Sequence, residues 1–223
     1  MGGQACVLYG AAEFSRDTDL AILADSLNLA RLRKAIRDLQ AKVIALPPFE
    51  ARFLRRGHAI HFRCQHPEAL GMRIDMMSRM RGVDPFPKLW ARRTTIELPD
   101  GSLCDLLSLP DLVQAKKTQR DKDWVMLRRL LEAHYFQNRK KPTAAMVRFW
   151  LLELRTPELL IEVAQAHPRL TFKLLASRPL LTLAAPEQEV ELALTLKEEE
   201  KQERDRKYWA PLKSELETLR RSR

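Results

Sequence analysis

The chain has 223 residues, 45% hydrophobic and 30% charged with only 7 glycines, which excludes disordered and fibrous classes and leaves room for one cored domain with an appendage or two small domains. No apolar run reaches the roughly 18 residues of a membrane helix, and the N-terminus lacks the charged-then-apolar pattern of a signal peptide, so a cytoplasmic protein is expected. Lys and Arg number 39 against 29 Asp and Glu, a net charge of +10 and a pI near 9.8, which biases association toward polyanions such as nucleic acid or nucleotide phosphates. Many basic residues adjoin acidic ones, so a solvated helical surface is an equal reading for most of them. Cys6, Cys64 and Cys104 are odd in number, widely spaced and never in a C-x-x-C pair. They are expected to be small buried hydrophobes, neither a disulfide framework nor a zinc site.

In chain order, Gly2-Gly3 opens a short helix, and two-residue alternation marks strands at residues 18–23, 59–64, 72–77, 94–98 and 102–106. Leu29, Leu32, Ala35, Ile36 and Leu39 share one helical face over residues 28–40, with Asn28 as the expected N-cap. Pro99-Asp100-Gly101 predicts a hairpin between the last two strands. From Leu109 the period is helical: residues 110–117, 120–135, 143–154, 157–166 and a last stretch from about 187, punctuated by Pro142, Pro157, Pro168, Pro179 and Pro186. The last stretch carries mixed charge and an apolar stripe of Tyr208, Trp209, Leu212, Leu216 and Leu219, which must pack on its own core or on a partner chain. The expected fold is therefore α/β (α+β), a mixed sheet with flanking helices followed by a helical C-terminal region. Its divisions are expected at residues 1–125, 126–185 (helical) and 186–223 (a charged helix).

Asp17 and Asp19 lie two apart at the start of a strand, so both carboxylates leave the same face. Two such carboxylates repel unless protonated or bridged by a cation, and hard oxygen ligands suit Mg²⁺. Arg73-Ile74-Asp75-Met76-Met77 places a third acid inside an otherwise apolar strand, where an unpaired carboxylate is costly. Three acids from two neighbouring strands beside a glycine-started helix fit a phosphoryl-transfer site with two metal ions. Arg16 reaches a phosphate or neutralises Asp17, two readings of equal weight, and Ser15 caps a turn or touches substrate.

Gly2-Gly3, then thirteen residues, then Asp17-x-Asp19 before an apolar strand, then the lone Asp75, resembles the nucleotidyltransferase superfamily of the DNA polymerase β type, in its small bacterial branch. The resemblance covers about residues 1–130. It implies that Gly2 and Gly3 contact the phosphates of a nucleoside triphosphate such as ATP, that Asp17 and Asp19 bind Mg²⁺ or Mn²⁺, and that Asp75 is the third carboxylate, which activates the attacking hydroxyl. The segment Leu107 to Trp124 is similar to the helix pair that follows the sheet in abortive-infection and toxin–antitoxin nucleotidyltransferases. There a lysine, here Lys116 or Lys117, reaches the triphosphate, and the downstream Arg120 and Asp123 lock the helices. Members of the superfamily begin with a strand before the glycines, and here only Met1 precedes them, so a start further upstream is expected.

The resemblance implies transfer of a nucleoside monophosphate to an acceptor that is RNA, protein or a small molecule. A rival reading is a non-catalytic partner protein of a toxin–antitoxin-like pair that binds through the C-terminal helix, and a third is plain nucleic-acid binding by the basic surface. His58, His61, Cys64 and His66 invite a metal reading, but a strand puts His58 and His61 on opposite faces, so packed or surface histidines are expected. Trp90, Trp124, Trp150 and Trp209 are expected to anchor helix packing.

Overall fold

The computed structural model describes residues 1–181 and 186–222. It is mixed α/β: a four-stranded sheet, a two-stranded hairpin and many helices, the last of them C-terminal. Two compact units emerge, the first from Met1–Leu8, Ala12–Ala115 and Asp205–Arg223, the second from Tyr9–Ala11 and Lys116–Arg204. The boundary expected at residue 185 lies outside the described residues.

The first unit runs α1 (Gly2–Leu8), β1 (Asp17–Ala21), α2 (Ser26–Asp38), β2 (Lys42–Val43), α3 (Ala51–Arg56), β3 (Ile60–Arg63), β4 (Arg73–Met77), α4 (Phe86–Ala91), β5 (Thr94–Glu97), β6 (Leu103–Leu106) and α5 (Leu109–Ala115). The sheet order is β1-β4-β3-β2; β1 and β4 are parallel and the other pairs antiparallel. Alternation turns Ile60 and Phe62 of β3, and Ile74 and Met76 of β4, onto a core shared with Leu29 of α2 and Phe53 and Leu54 of α3. Each of these large side chains contributes roughly 1.5–3 kcal/mol by leaving water. The N-cap of α2 is Asp25, not Asn28. The Asp25 carboxylate, on extended backbone, accepts the Asn28 backbone N–H at 2.8 Å, and the helix starts earlier as a result.

The predicted hairpin forms between β5 and β6: Gly101 takes φ +80° and Asp100 accepts the Ser102 N–H at 3.0 Å. Before it, Arg92 grips buried Asp111 of α5 with two hydrogen bonds of 2.6 Å. Trp90 departs from expectation. It is exposed, stacked with Phe86 and covered by the Arg93 guanidinium 4.0 Å from its ring, and Leu89 is the residue that α4 buries. Trp209 is half-buried, and Cys104, on the hairpin, is less buried than Cys6 and Cys64. No disulfide occurs among the described residues.

In the second unit come α6 (Asp121–Asn138), α7 (Ala144–Glu153), α8 (Pro157–Ala166), α9 (Pro168–Leu174) and the first part of α10 (Glu187–Arg221). Thr143 caps α7 through the Met146 N–H, and prolines open α8 and α9, where no backbone donor is needed. Their core gathers Trp124, Leu127, Leu131, Tyr135, Trp150, Leu151 and Leu160. The rest of α10, from Asp205, belongs to the first unit. Leu219 packs on the sheet core there, and Glu215 pairs with Arg56 and with buried His58, the latter at 2.9 Å. The C-terminal stripe is thus half-buried against its own chain. Among the described residues, no helix is long and apolar enough to cross a membrane.

Candidate functional site: an acidic face on the parallel strands

Register decides which side chains meet. Asp17 lies opposite Arg73 and Asp19 opposite Asp75 across the parallel β1–β4 pair, while antiparallel β3 sets His61 opposite Asp75. Since Ile74 and Met76 face the core, positions 17, 19, 73, 75 and 61 share the other side of the sheet. All three acids singled out in the sequence are brought together.

Asp75, with 13% of its side chain exposed, accepts two hydrogen bonds of 3.0 Å from Arg73 and lies 2.8 Å from His61 Nδ1. Burial works to raise its pKa, but the bonds from His61 and Arg73 outweigh burial and hold the carboxyl below its ordinary range. The Arg73 guanidinium is pushed up in turn, first by its bond to Asp75, with the charges of Asp75, Asp17 and Asp19 adding to it. One cation therefore sits in the field of three carboxylates.

The glycines reach this face from the side. The Gly3 N–H donates to Asp19 Oδ2 at 3.3 Å, and Gly2 takes φ +68° with its α-carbon so close that an added Cβ would lie 1.8 Å from the same oxygen. A Cβ on Gly3 would meet Ser15 Oγ at 2.3 Å. Ser15 is engaged structurally. Its hydroxyl donates to the Asp17 carbonyl at 3.0 Å and its own carbonyl accepts from Gln4 Nε2 at 3.1 Å. Arg16 is exposed and makes no ion pair among the described residues.

Lys116 and Lys117 belong to the second unit, each beside a carboxylate. Lys116 contacts Asp123 at 3.1 Å, and the same buried acid accepts from Thr118 Oγ1 at 2.6 Å and Arg120 Nε at 2.7 Å. Lys117 pairs with Glu153 at 2.6 Å.

Arg73 was missed in the sequence, and His61 was set aside there as a packed or surface histidine. Arg73 was legible, two positions before Asp75 and so on the same strand face; His61 needed the β3–β4 register. For a metal the donors are of the right kind, all hard oxygens. As the side chains stand, however, no group of three or more acid, histidine or cysteine side chains has metal-site geometry among the described residues. Comparison with known proteins adds no kinship: no family model, no curated protein and no solved structure matches the chain.

Proposed function

We propose that the chain is a divalent-metal-dependent nucleotidyltransferase. In the reaction an acceptor hydroxyl forms a bond to the α-phosphorus of a nucleoside triphosphate, the α–β bridging P–O bond breaks, and pyrophosphate and the hydroxyl proton leave. The supporting observation is the single face that Asp17, Asp19 and Asp75 share with Arg73 beside the glycine-started helix. Asp17 and Asp19, with Asp75 after Arg73 has turned aside, would hold Mg²⁺ or Mn²⁺, which supplies charge neutralisation for the phosphates. The missing side chains of Gly2 and Gly3 make room for Asp19 and Ser15, and exposed Arg16 would meet the phosphates. Lys116 and Lys117 already have carboxylate partners and do not carry the reading. A net charge of +10 favours a nucleic-acid acceptor over a small molecule.

Thermal melting with each nucleoside triphosphate in Mg²⁺ or Mn²⁺ tests this in the wild type and in Asp17→Ala/Asp19→Ala. A ligand bound only by the folded chain stabilises it by about 2.7 kcal/mol at a hundred times its dissociation constant. The expected result is a metal-dependent upward shift that the double variant loses. A metal-dependent shift retained by the variant, or no metal-dependent shift in the wild type, overturns the proposal.

A further inference from the structure

A cavity lined by charged and aliphatic side chains lies wholly within the second unit. Its volume is about 620 Å³, within the range of small-molecule sites. Its lining carries Lys117, Arg155, Arg178, Lys197 and Lys201 against only Glu153 and Glu200, together with an aliphatic part that includes Leu152, Leu180 and Leu194.

Two of these cations are buried. Arg178, 8% exposed, donates to the Leu151 and Leu154 carbonyls at 2.8 and 2.6 Å, closing the C-terminal end of α7. It has no carboxylate within ion-pair distance among the described residues, and burial pushes its pKa down to about 10. Arg155, equally buried, donates to the Leu194 carbonyl at 2.8 Å and lies 4.6 Å from the centre of the Trp124 ring, with Glu198 a distant 3.6 Å away. Burial lowers the Lys117 pKa as well, although Glu153 opposes the shift. The three cations removed from water face two carboxylates, Glu153 and Glu198, and Glu200 is occupied by Lys197 and Arg204. Such an excess of desolvated positive charge is relieved by a bound anion.

We propose that this cavity is a metal-independent nucleotide site, its phosphates held by the lysines and arginines and its nucleoside laid on the aliphatic part of the lining. A bare inorganic anion leaves that part and most of the volume unused, whereas a nucleotide fills both. The site does not depend on the proposed transferase chemistry. Its residues are separate from Asp17, Asp19 and Asp75, and it needs no divalent ion.

Titration calorimetry of the full chain in EDTA, with ADP and with inorganic pyrophosphate as probes, tests the site. One ADP is expected per chain, bound at least tenfold more tightly than pyrophosphate, with Asp17→Ala/Asp19→Ala unaffected. Lys197→Glu and Lys201→Glu, on partly exposed side chains that keep the Arg178 cap intact, are expected to weaken ADP about tenfold or more each, a loss of 1.4 kcal/mol per tenfold. Lys34→Glu, an exposed lysine of the first unit, is expected to change nothing. Absence of saturable ADP binding overturns the proposal. So does equal affinity for pyrophosphate, equal loss in Lys34→Glu, or loss in the aspartate variant.

Discussion

Arg73 is the residue on which the acidic face turns, since its guanidinium balances Asp75 directly and Asp17 and Asp19 through space. Removing the charge while keeping the length, Arg73→Met, leaves Asp75 with His61 as its remaining side-chain partner. Under the proposed function the freed acids take a divalent ion more readily, because Arg73 and the metal compete for the same oxygens. Mn²⁺ binding, followed by calorimetry, is expected to tighten about tenfold, equivalent to 1.4 kcal/mol. If Arg73→Met binds Mn²⁺ no better than the wild type, the guanidinium is a structural partner of Asp75 and the acids are not a metal site. Gly2 and Asp19 show a second dependence at this scale. The missing side chain at one position makes room for the carboxylate of the other, so the two are informative together and weak alone.

At the scale of elements, Asp123 in the first turn of α6 gathers Lys116, Thr118 and Arg120, joining the segment before the helix to the helix itself. Its side chain is 4% exposed, and burial alone would raise its pKa; the Lys116 charge, the Thr118 hydrogen bond and Arg120 together hold it low. Asp123→Asn keeps the shape but removes the charge that Lys116 and Arg120 face. An expected loss of about 2–3 kcal/mol follows from breaking a largely buried charged network, read from the urea midpoint of tryptophan emission. A loss below about 0.5 kcal/mol would show that solvent already screens the cluster. The elements themselves were unequally legible. The helix at Pro157–Ala166 was predicted to the residue, and the hairpin at Asp100-Gly101 was predicted from its turn chemistry. In contrast β2 is two residues long, α3 and α4 six each, and α9 sits between closely spaced prolines. Segments that short carry too few positions for any period, and packing on neighbours decides them. The three acids were legible because alternation is local; His61 was not, because only strand pairing brings it to Asp75.

For the molecule as a whole, positive charge sets how stability responds to acid. Asp75 and Asp123 both have carboxyls held below the ordinary value of 3.8 by cationic partners. A depressed native pKa means the unfolded chain takes up protons first as pH falls, so the stability these groups contribute is complete above about pH 5. It is lost as pH passes through the ordinary value and down to the native one. The same protonation strips negative charge from a chain with 39 lysines and arginines, and self-repulsion then adds to the loss. Urea midpoints are therefore expected to be level between pH 5 and 7 and to fall steeply below about pH 4. Added sodium chloride should soften the fall, because screening acts on the diffuse repulsion more than on the buried Asp123 pairs. A decline that sets in near pH 6 would instead assign the acid sensitivity to a histidine kept neutral in the fold, and His134, whose pKa burial lowers, is the group to replace next.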